Sequence, residues 1–278
     1  MDVPTRPPAR TSELTARPMT RADTSAVLEL IDADQLPGRS PAGETLTSIG
    51  TGLHQVSTLV VCDQHGRVVG AVRHGLRATD AAGLIVWLHG HEESEAVAAL
   101  IALSRARLGS RPMYACTGPA TATGIPGLPV RHRKATAQAL TAAGFTPSRA
   151  QWYFLRDLSV PPPTPEYPLA EITTVGDPLG WQLEVTDAGG HHIATAILRA
   201  PTPDTADMAV LWQLTVRTEH RRRGIGTHLL GQCLHLAHVH GAPRLTADVP
   251  GSDVPAARLL AKAGFLPVDA LTVYHCPF

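Results

Sequence analysis

Apolar positions along this chain recur with two periods, and their alternation predicts short strands interleaved with amphipathic helices. Residues 57–62 and 67–72 are β-prone runs around Asp63-Gln64-His65-Gly66, which predicts a hairpin. A strand follows over 84–88. A helix over 92–108 carries Val97, Leu100, Ile101, Leu103 and Leu108. Next come a short strand over 113–116, a Gly/Pro loop over 117–129, a helix over 131–143 and a strand over 151–158. Upstream, Asp23 is placed to cap a short helix holding Val27, Leu28, Leu30 and Ile31, and a second short helix is expected around Leu46 and Ile49. Downstream, 181–186 and 192–198 flank the turn Asp187-Ala188-Gly189-Gly190 as a second hairpin. The pattern continues as strand 211–216, helix 227–240, strand 245–249, helix 254–263 and strand 270–275.

The pattern repeats. Ala137-Gln-Ala-Leu-Thr-Ala-Ala-Gly-Phe-Thr-Pro147 matches Ala257-Arg-Leu-Leu-Ala-Lys-Ala-Gly-Phe-Leu-Pro267. Each is a helix stopped by a glycine, then a phenylalanine entering a strand. Each half also runs hairpin, strand, helix, strand and then this helix, so one plan is used twice. The expected division is a Pro/Arg/Thr-rich disordered tail over 1–18, a first domain over 19–158, a stiff proline linker over 159–168 and a second domain over 169–278.

The chemistry concentrates in the second unit. After the strand at 211–216 come Arg221, Arg222 and Arg223, then Gly224-Ile225-Gly226, then Thr227 at the head of a helix. The first N–H groups of a helix lack internal partners and point outward, which suits an anion. Glycines let a phosphate approach the main chain, and arginines add forked donors. Neither the Walker loop nor the dinucleotide fingerprint fits this spacing.

Arg221-x-x-Gly224-x-Gly226, directly after Leu-Thr-Val, resembles the acyl-CoA signature of the GCN5-related N-acetyltransferases (GNAT), Gln/Arg-x-x-Gly-x-Gly/Ala. A helix ending Ala-Gly-Phe before a strand is similar to the last helix of that fold. The resemblance implies an α/β (α+β) protein with two GNAT-like domains, each a mixed, mostly antiparallel sheet flanked by helices. This duplicated layout is similar to that of the mycothiol synthases. It also implies acetyl-CoA as cosubstrate, no metal, and direct acetyl transfer to a primary amine of a small molecule or peptide. By the same resemblance, the main chain of Leu214, Thr215 and Val216 holds the pantetheine arm, and an N–H near Leu214 polarises the carbonyl. Arg221, Arg222, Arg223, Gly224, Ile225, Gly226 and Thr227 then take the diphosphate.

The halves are unequal. At the matching place the first reads Leu88-His89-Gly90-His91-Glu92-Glu93, with carboxylates where a diphosphate would sit, and is expected to bind no acyl-CoA. The second lacks the two helices that wall the acceptor site in the family. The first half is expected to supply that wall, with the active site between the two.

The proton-transfer groups are less defined. Aligned on Gly264-Phe265, Asp253 falls where the family often has Asn, and Leu260 where many members have the Tyr that protonates the thiolate. Asp253 also suits a helix N-cap. Tyr274 and His275 on the last strand are the replacement candidates, against roles in packing and on the surface. Trp212 is a candidate for the acceptor pocket or for plain core. His228, His235 and His238 lie on one helix side and read as a solvated face. Arg131, His132, Arg133 and Lys134 form a basic cluster that could grip an anion or simply be solvated.

Bulk composition narrows the reading. Net charge is zero over 278 residues with 44% hydrophobic content, which opposes general nucleic-acid affinity and provides for a sizeable core. The four cysteines, Cys62, Cys116, Cys233 and Cys276, form no CxxC pair. No run approaches the length of a membrane span, and the amino terminus lacks a signal-peptide core. The expectation is a cytoplasmic monomer or homodimer that contacts neither nucleic acid nor membrane. The alternative is a non-catalytic acyl-CoA sensor or interaction module.

Overall fold

The computed structural model describes residues 14–34, 36, 46, 52–119, 124–165, 169–176, 179–202 and 208–277. The first half runs β1 (Thr15–Pro18), α1 (Thr24–Ala33), β2 (Leu53–Cys62), β3 (Val68–Arg77), β4 (Gly83–His89), α2 (Ser94–Leu108), β5 (Met113–Ala115), β6 (Leu128–Pro129), α3 (Lys134–Ala142) and β7 (Thr146–Asp157). The second runs β8 (Glu171–Val175), β9 (Gly180–Thr186), β10 (His192–Arg199), β11 (Met208–Val216), α4 (Ile225–Val239), β12 (Arg244–Pro250), α5 (Val254–Lys262) and β13 (Leu266–Cys276). Mixed α/β architecture with a mostly antiparallel sheet is what the resemblance implied, but the sheets expected for the two halves are joined into one.

All thirteen strands join one sheet. The order is β1-β2-β3-β4-β5-β13-β7-β12-β11-β10-β9-β8, with β6 beside β13. Each half thus lends its last strand to the other. β7 pairs with β12 from Arg244↔Asp157 to Pro250↔Gln151, and β13 pairs with β5 from Tyr274↔Ala115 to Cys276↔Met113. β7 and β13 lie side by side at the centre. The repeated Ala-Gly-Phe stops explain where each strand departs. Gly144 and Gly264 sit at φ +86° and +81°, and Phe145 N–H and Phe265 N–H reach back to Leu140 O and Leu260 O. This is a glycine-dependent helix stop. Phe145 is buried in the core of the first half and Phe265 in that of the second.

In the first half α1 packs Val27, Leu30 and Ile31 on one sheet face, while α2 and α3 cover the other. In the second half α4 and α5 cover one face, with Leu229, Leu230, Cys233 and Leu260 in the core. No described helix covers the opposite face of β8–β11, where Thr173, Gln213 and Thr215 are exposed. An antiparallel sheet tolerates one wetted face.

Three expectations need correction. Thr15–Pro18 pair with Leu59–Cys62 as β1, so the tail ends earlier than residue 18. Glu171–Val175 form an edge strand that the pattern did not reveal. Asp23 precedes α1, but its carboxylate turns back to Thr20 and to Arg17 at 2.7 Å instead of capping the helix. The short helix expected around Leu46 and Ile49 lies, apart from Leu46, outside the described residues, as do residues 166–168 of the linker.

Candidate functional site

The site is built by two strands that part. β11 and β12 pair in parallel over Met208–Leu211 and Arg244–Ala247, and no further among the described residues. Beyond that point β11 stays with β10 as far as Ala194↔Val216, and β12 stays with β7 as far as Pro250↔Gln151. A slot therefore opens between them. Gln213 and Leu211 face consecutive residues of β10, Ile197 and Leu198, so Trp212 is a bulged extra residue. The edge of β11 over Trp212–Val216 is left without a strand partner on the slot side. It can offer main-chain donors and acceptors to an extended guest.

The slot leads to the glycine corner. Arg222 at φ +63° and Gly224 at φ +81° turn the chain into α4. The N–H groups of Arg223, Gly224, Ile225 and Gly226 meet no main-chain acceptor among the described residues, whereas Thr227 and His228 already bond to Gly224 O. A 15-residue helix adds the positive end of its dipole at the same place. The corner is open. A side chain at Gly224 would meet only the His228 ring at 3.7 Å, and one at Gly226 would make ordinary contact with Leu259 and Val216. Arg221, Arg222 and Arg223 are exposed, with Arg221 Nε fixed on Val216 O at 2.9 Å. Leu214 and Val216 turn their side chains toward the core under α4, leaving their main chain for the slot.

The remaining sequence-derived residues scatter. Asp253 accepts from Ala256 N–H at 3.0 Å and caps α5. Leu260 is core. Tyr274 and His275 are not brought to the slot, because β7 and β12 stand between β13 and β11. Tyr274 is buried among Leu140, Phe145 and Ala115 of the first half, and the His275 ring lies 4.7 Å from that of Tyr114. Trp212 is 44% exposed, not core, and carries the Arg199 guanidinium 3.5 Å above its ring. His238 Nδ1 lies 3.0 Å from Leu158 O, so part of the histidine face packs against the end of β7. One group that sequence reasoning missed stands at the slot: Asp248, the first residue of β12 past the last paired position. Its signal in the sequence was a lone carboxylate in the strand Arg-Leu-Thr-Ala-Asp-Val-Pro.

The first half carries the same split in a closed form. β4 and β5 pair as far as Ile85↔Ala115, and Val86 is bulged as Trp212 is. There the chain fills its own slot. Cys116 N–H and Gly118 N–H bond to Ile85 O and Val86 O, both at 2.8 Å. Of the basic cluster at the start of the neighbouring helix, Arg131, His132 and Lys134 are exposed, as a solvated patch would be, and only Arg133 is buried. Arg133 is 4% exposed and reaches Leu88 O at 3.0 Å, Glu92 at 2.6 Å and Asp34 at 3.3 Å. Asp34 also pairs with His89 at 3.0 Å. Burial alone would raise the Asp34 carboxyl. The His89 hydrogen bond and the Arg133 charge more than offset it and hold the group below its ordinary range. Arg131 stacks on Trp152, and His132 sits 2.7 Å from the buried Asp269.

Residues 149–265 match the model of the acetyltransferase (GNAT) family. No curated protein matches the chain. Among solved structures, a GCN5-related N-acetyltransferase from Sphaerobacter thermophilus aligns at TM-score 0.63 and 19% identity, over 94% of this chain and 95% of the other. A tandem GNAT protein from the clavulanic acid biosynthesis pathway aligns at TM-score 0.60 and 18% identity, over 95% and 98%. At these identities the likeness is one of fold.

Proposed function

We propose, for a chain whose residues 149–265 match the GNAT acetyltransferase family model, that it transfers an acetyl group from acetyl-CoA to a primary amine, with the coenzyme held by the second half alone. The observation that carries this reading is the slot between β11 and β12 running into an open corner where the N–H groups of Arg223–Gly226 meet no main-chain acceptor among the described residues. The donors suit a diphosphate: main-chain N–H groups, a helix dipole and guanidinium groups, with no carboxylate paired to Arg221, Arg222 or Arg223 among the described residues. Bound there, acetyl-CoA supplies an activated thioester. The edge of β11 holds the arm, and a main-chain N–H near Leu214 is placed to polarise the carbonyl. Trp212, exposed at the bulge, lines the acceptor side.

The sealed slot and buried ion cluster of the first half support one coenzyme per chain. All four cysteines are buried and outside any disulfide. Burial pushes the Cys116 and Cys233 thiols up to about 12, so neither serves as a nucleophile, in keeping with direct attack by the amine. Cysteines outside any disulfide also suit a cytoplasmic setting.

Titration calorimetry with acetyl-CoA should give a stoichiometry of one, and thiol release should accompany addition of an acceptor amine. Absence of binding sinks the site. The sensor reading draws support from Leu260, buried core where a proton-donating Tyr would be sought. Tight binding with no thiol release, in water or with any amine, would favour it.

A further inference from the structure

We infer that Asp248 is the catalytic carboxylate that receives the proton shed by the acceptor amine, an assignment that rests on the slot holding the thioester. Asp248 follows Ala247, the last residue of β12 paired with β11, as Trp212 follows Leu211 on the other side. The two residues therefore flank the point where the strands part. Alternation fixes which way the carboxylate faces. Leu245, Ala247 and Val249 lie in the core under α4 and α5, so Asp248 lies on the opposite face. Gln213 and Thr215 occupy the same face, because Leu214 and Val216 turn inward. No described helix of the second half covers that side, so an acceptor can come from it. Asp248 is partly buried, with Oδ1 shielded from solvent, and it stands between the buried Thr246 and Tyr153 on one side and the exposed Gln213 and Thr215 across the slot.

The first half furnishes the neighbour. Asp248 pairs directly across the sheet with Tyr153 of β7, the strand lent by the first half. Tyr153 is fully buried against Leu36 and Leu271, and gives Asp248 a rigid backing. Burial and the Asp248 charge both push the Tyr153 hydroxyl upward, which keeps it protonated beside the carboxylate. Two other titratable pairs share this face: His132 with Asp269, which faces Tyr153 from β13, and Glu184 with His192, 3.9 Å apart on β9 and β10. Glu184 lines up across the sheet with Thr195 and then Thr215, two strands from β11, which is about 10 Å from the slot. Asp248 is the carboxylate at the split itself.

The amine nitrogen attacks the carbonyl carbon of the thioester, forming the C–N bond and placing negative charge on oxygen beneath the main-chain donor. Asp248 takes the surplus proton from nitrogen. The adduct collapses, the C–S bond breaks, and sulfur leaves with the electron pair. The proton passes from Asp248 to that sulfur, giving amide, free thiol and the original carboxylate.

The test uses the full chain and Asp248→Asn. Acetyl-CoA affinity is measured by calorimetry, and thiol release is followed in water and with ethanolamine as the probe amine. The expected result is affinity within twofold of wild type and thiol release slowed about 100-fold or more with both nucleophiles. A second variant, Asp248→Ala, should regain rate when formate is added, an effect that a packing role would not produce. Asparagine at full rate, formate without effect, or a wild-type chain that binds acetyl-CoA yet releases no thiol would each overturn the assignment. Loss of acetyl-CoA binding by the wild type would instead remove the slot reading on which it rests.

Discussion

At the scale of single residues, the parts that sequence revealed are those where backbone geometry dictates the side chain. Gly224 at φ +81° is one. A positive φ excludes most residues, so a glycine three places after Arg221 carries information by itself. Gly224→Asp should fold normally, since Asp tolerates this conformation and the position is open. It should cut acetyl-CoA affinity at least about 100-fold in calorimetry, because a carboxylate would face the anion and two or more charge-assisted hydrogen bonds would be lost. Unchanged affinity would show that the diphosphate sits elsewhere. Residues whose roles come from distant partners were not legible. Arg133 reads locally as one of several basic residues, and only folding brings Asp34 and Glu92 to it. Arg133→Ala leaves Asp34 with His89 and Glu92 with Thr136 but removes the buried positive charge between them, and should cost about 3 kcal/mol in urea unfolding, with acetyl-CoA affinity unaltered. The depressed pKa of Asp34 has a definite sign. Its stabilisation is present above about pH 4, the unfolded value, and is lost as pH falls through the lower folded value. Asp34→Asn should therefore be less stable at neutral pH, yet lose less on acidification below about pH 4. An acid limb of wild-type steepness in that variant would assign the acid loss to other carboxylates.

At the scale of elements, hairpins and helices were legible because their signals are local: alternation, a turn, a glycine stop. The β9–β10 hairpin and α2 fall where periodicity put them. β8 was not visible, since Glu171-Ile-Thr-Thr-Val is an edge strand whose residues are mostly exposed, and it shows no buried stripe. The bulge at Trp212 was also invisible, because register is a property of two strands and not of one. The repeated helix stops test how equivalent the two copies are. Both glycines need positive φ, so Gly144→Ala and Gly264→Ala should each cost about 1–2 kcal/mol. Gly264 should be the dearer of the two. A methyl there runs into the Arg156 guanidinium, while at Gly144 it meets only Cys276 Sγ at 4.0 Å. Chemical unfolding of the two variants side by side checks this, and a costlier change at Gly144 would mean that Arg156 moves freely.

At the scale of the whole molecule, duplication was legible and strand exchange was not. A period-two run announces a strand but does not name its neighbour. The exchange has energetic consequences. β13, the last strand of the second half, draws its pairing from β5, β6 and β7, all encoded before residue 158. β7 in turn covers the edge of β12, the wall of the slot that carries Asp248. A fragment of residues 169–278 would therefore keep α4, α5 and the glycine corner but expose one edge of β12 and both edges of β13. Unpaired main-chain groups on that scale oppose folding and invite aggregation. The fragment should show no cooperative thermal transition by circular dichroism and no detectable acetyl-CoA binding. Co-expression with residues 1–165 should restore a copurifying, folded pair that binds one acetyl-CoA. In the intact chain both halves should melt in a single transition, because neither sheet is complete while the other is open. A cooperatively folding, coenzyme-binding 169–278 fragment would mean that the lent strands are dispensable, and that the first half contributes less to the slot than the shared sheet implies.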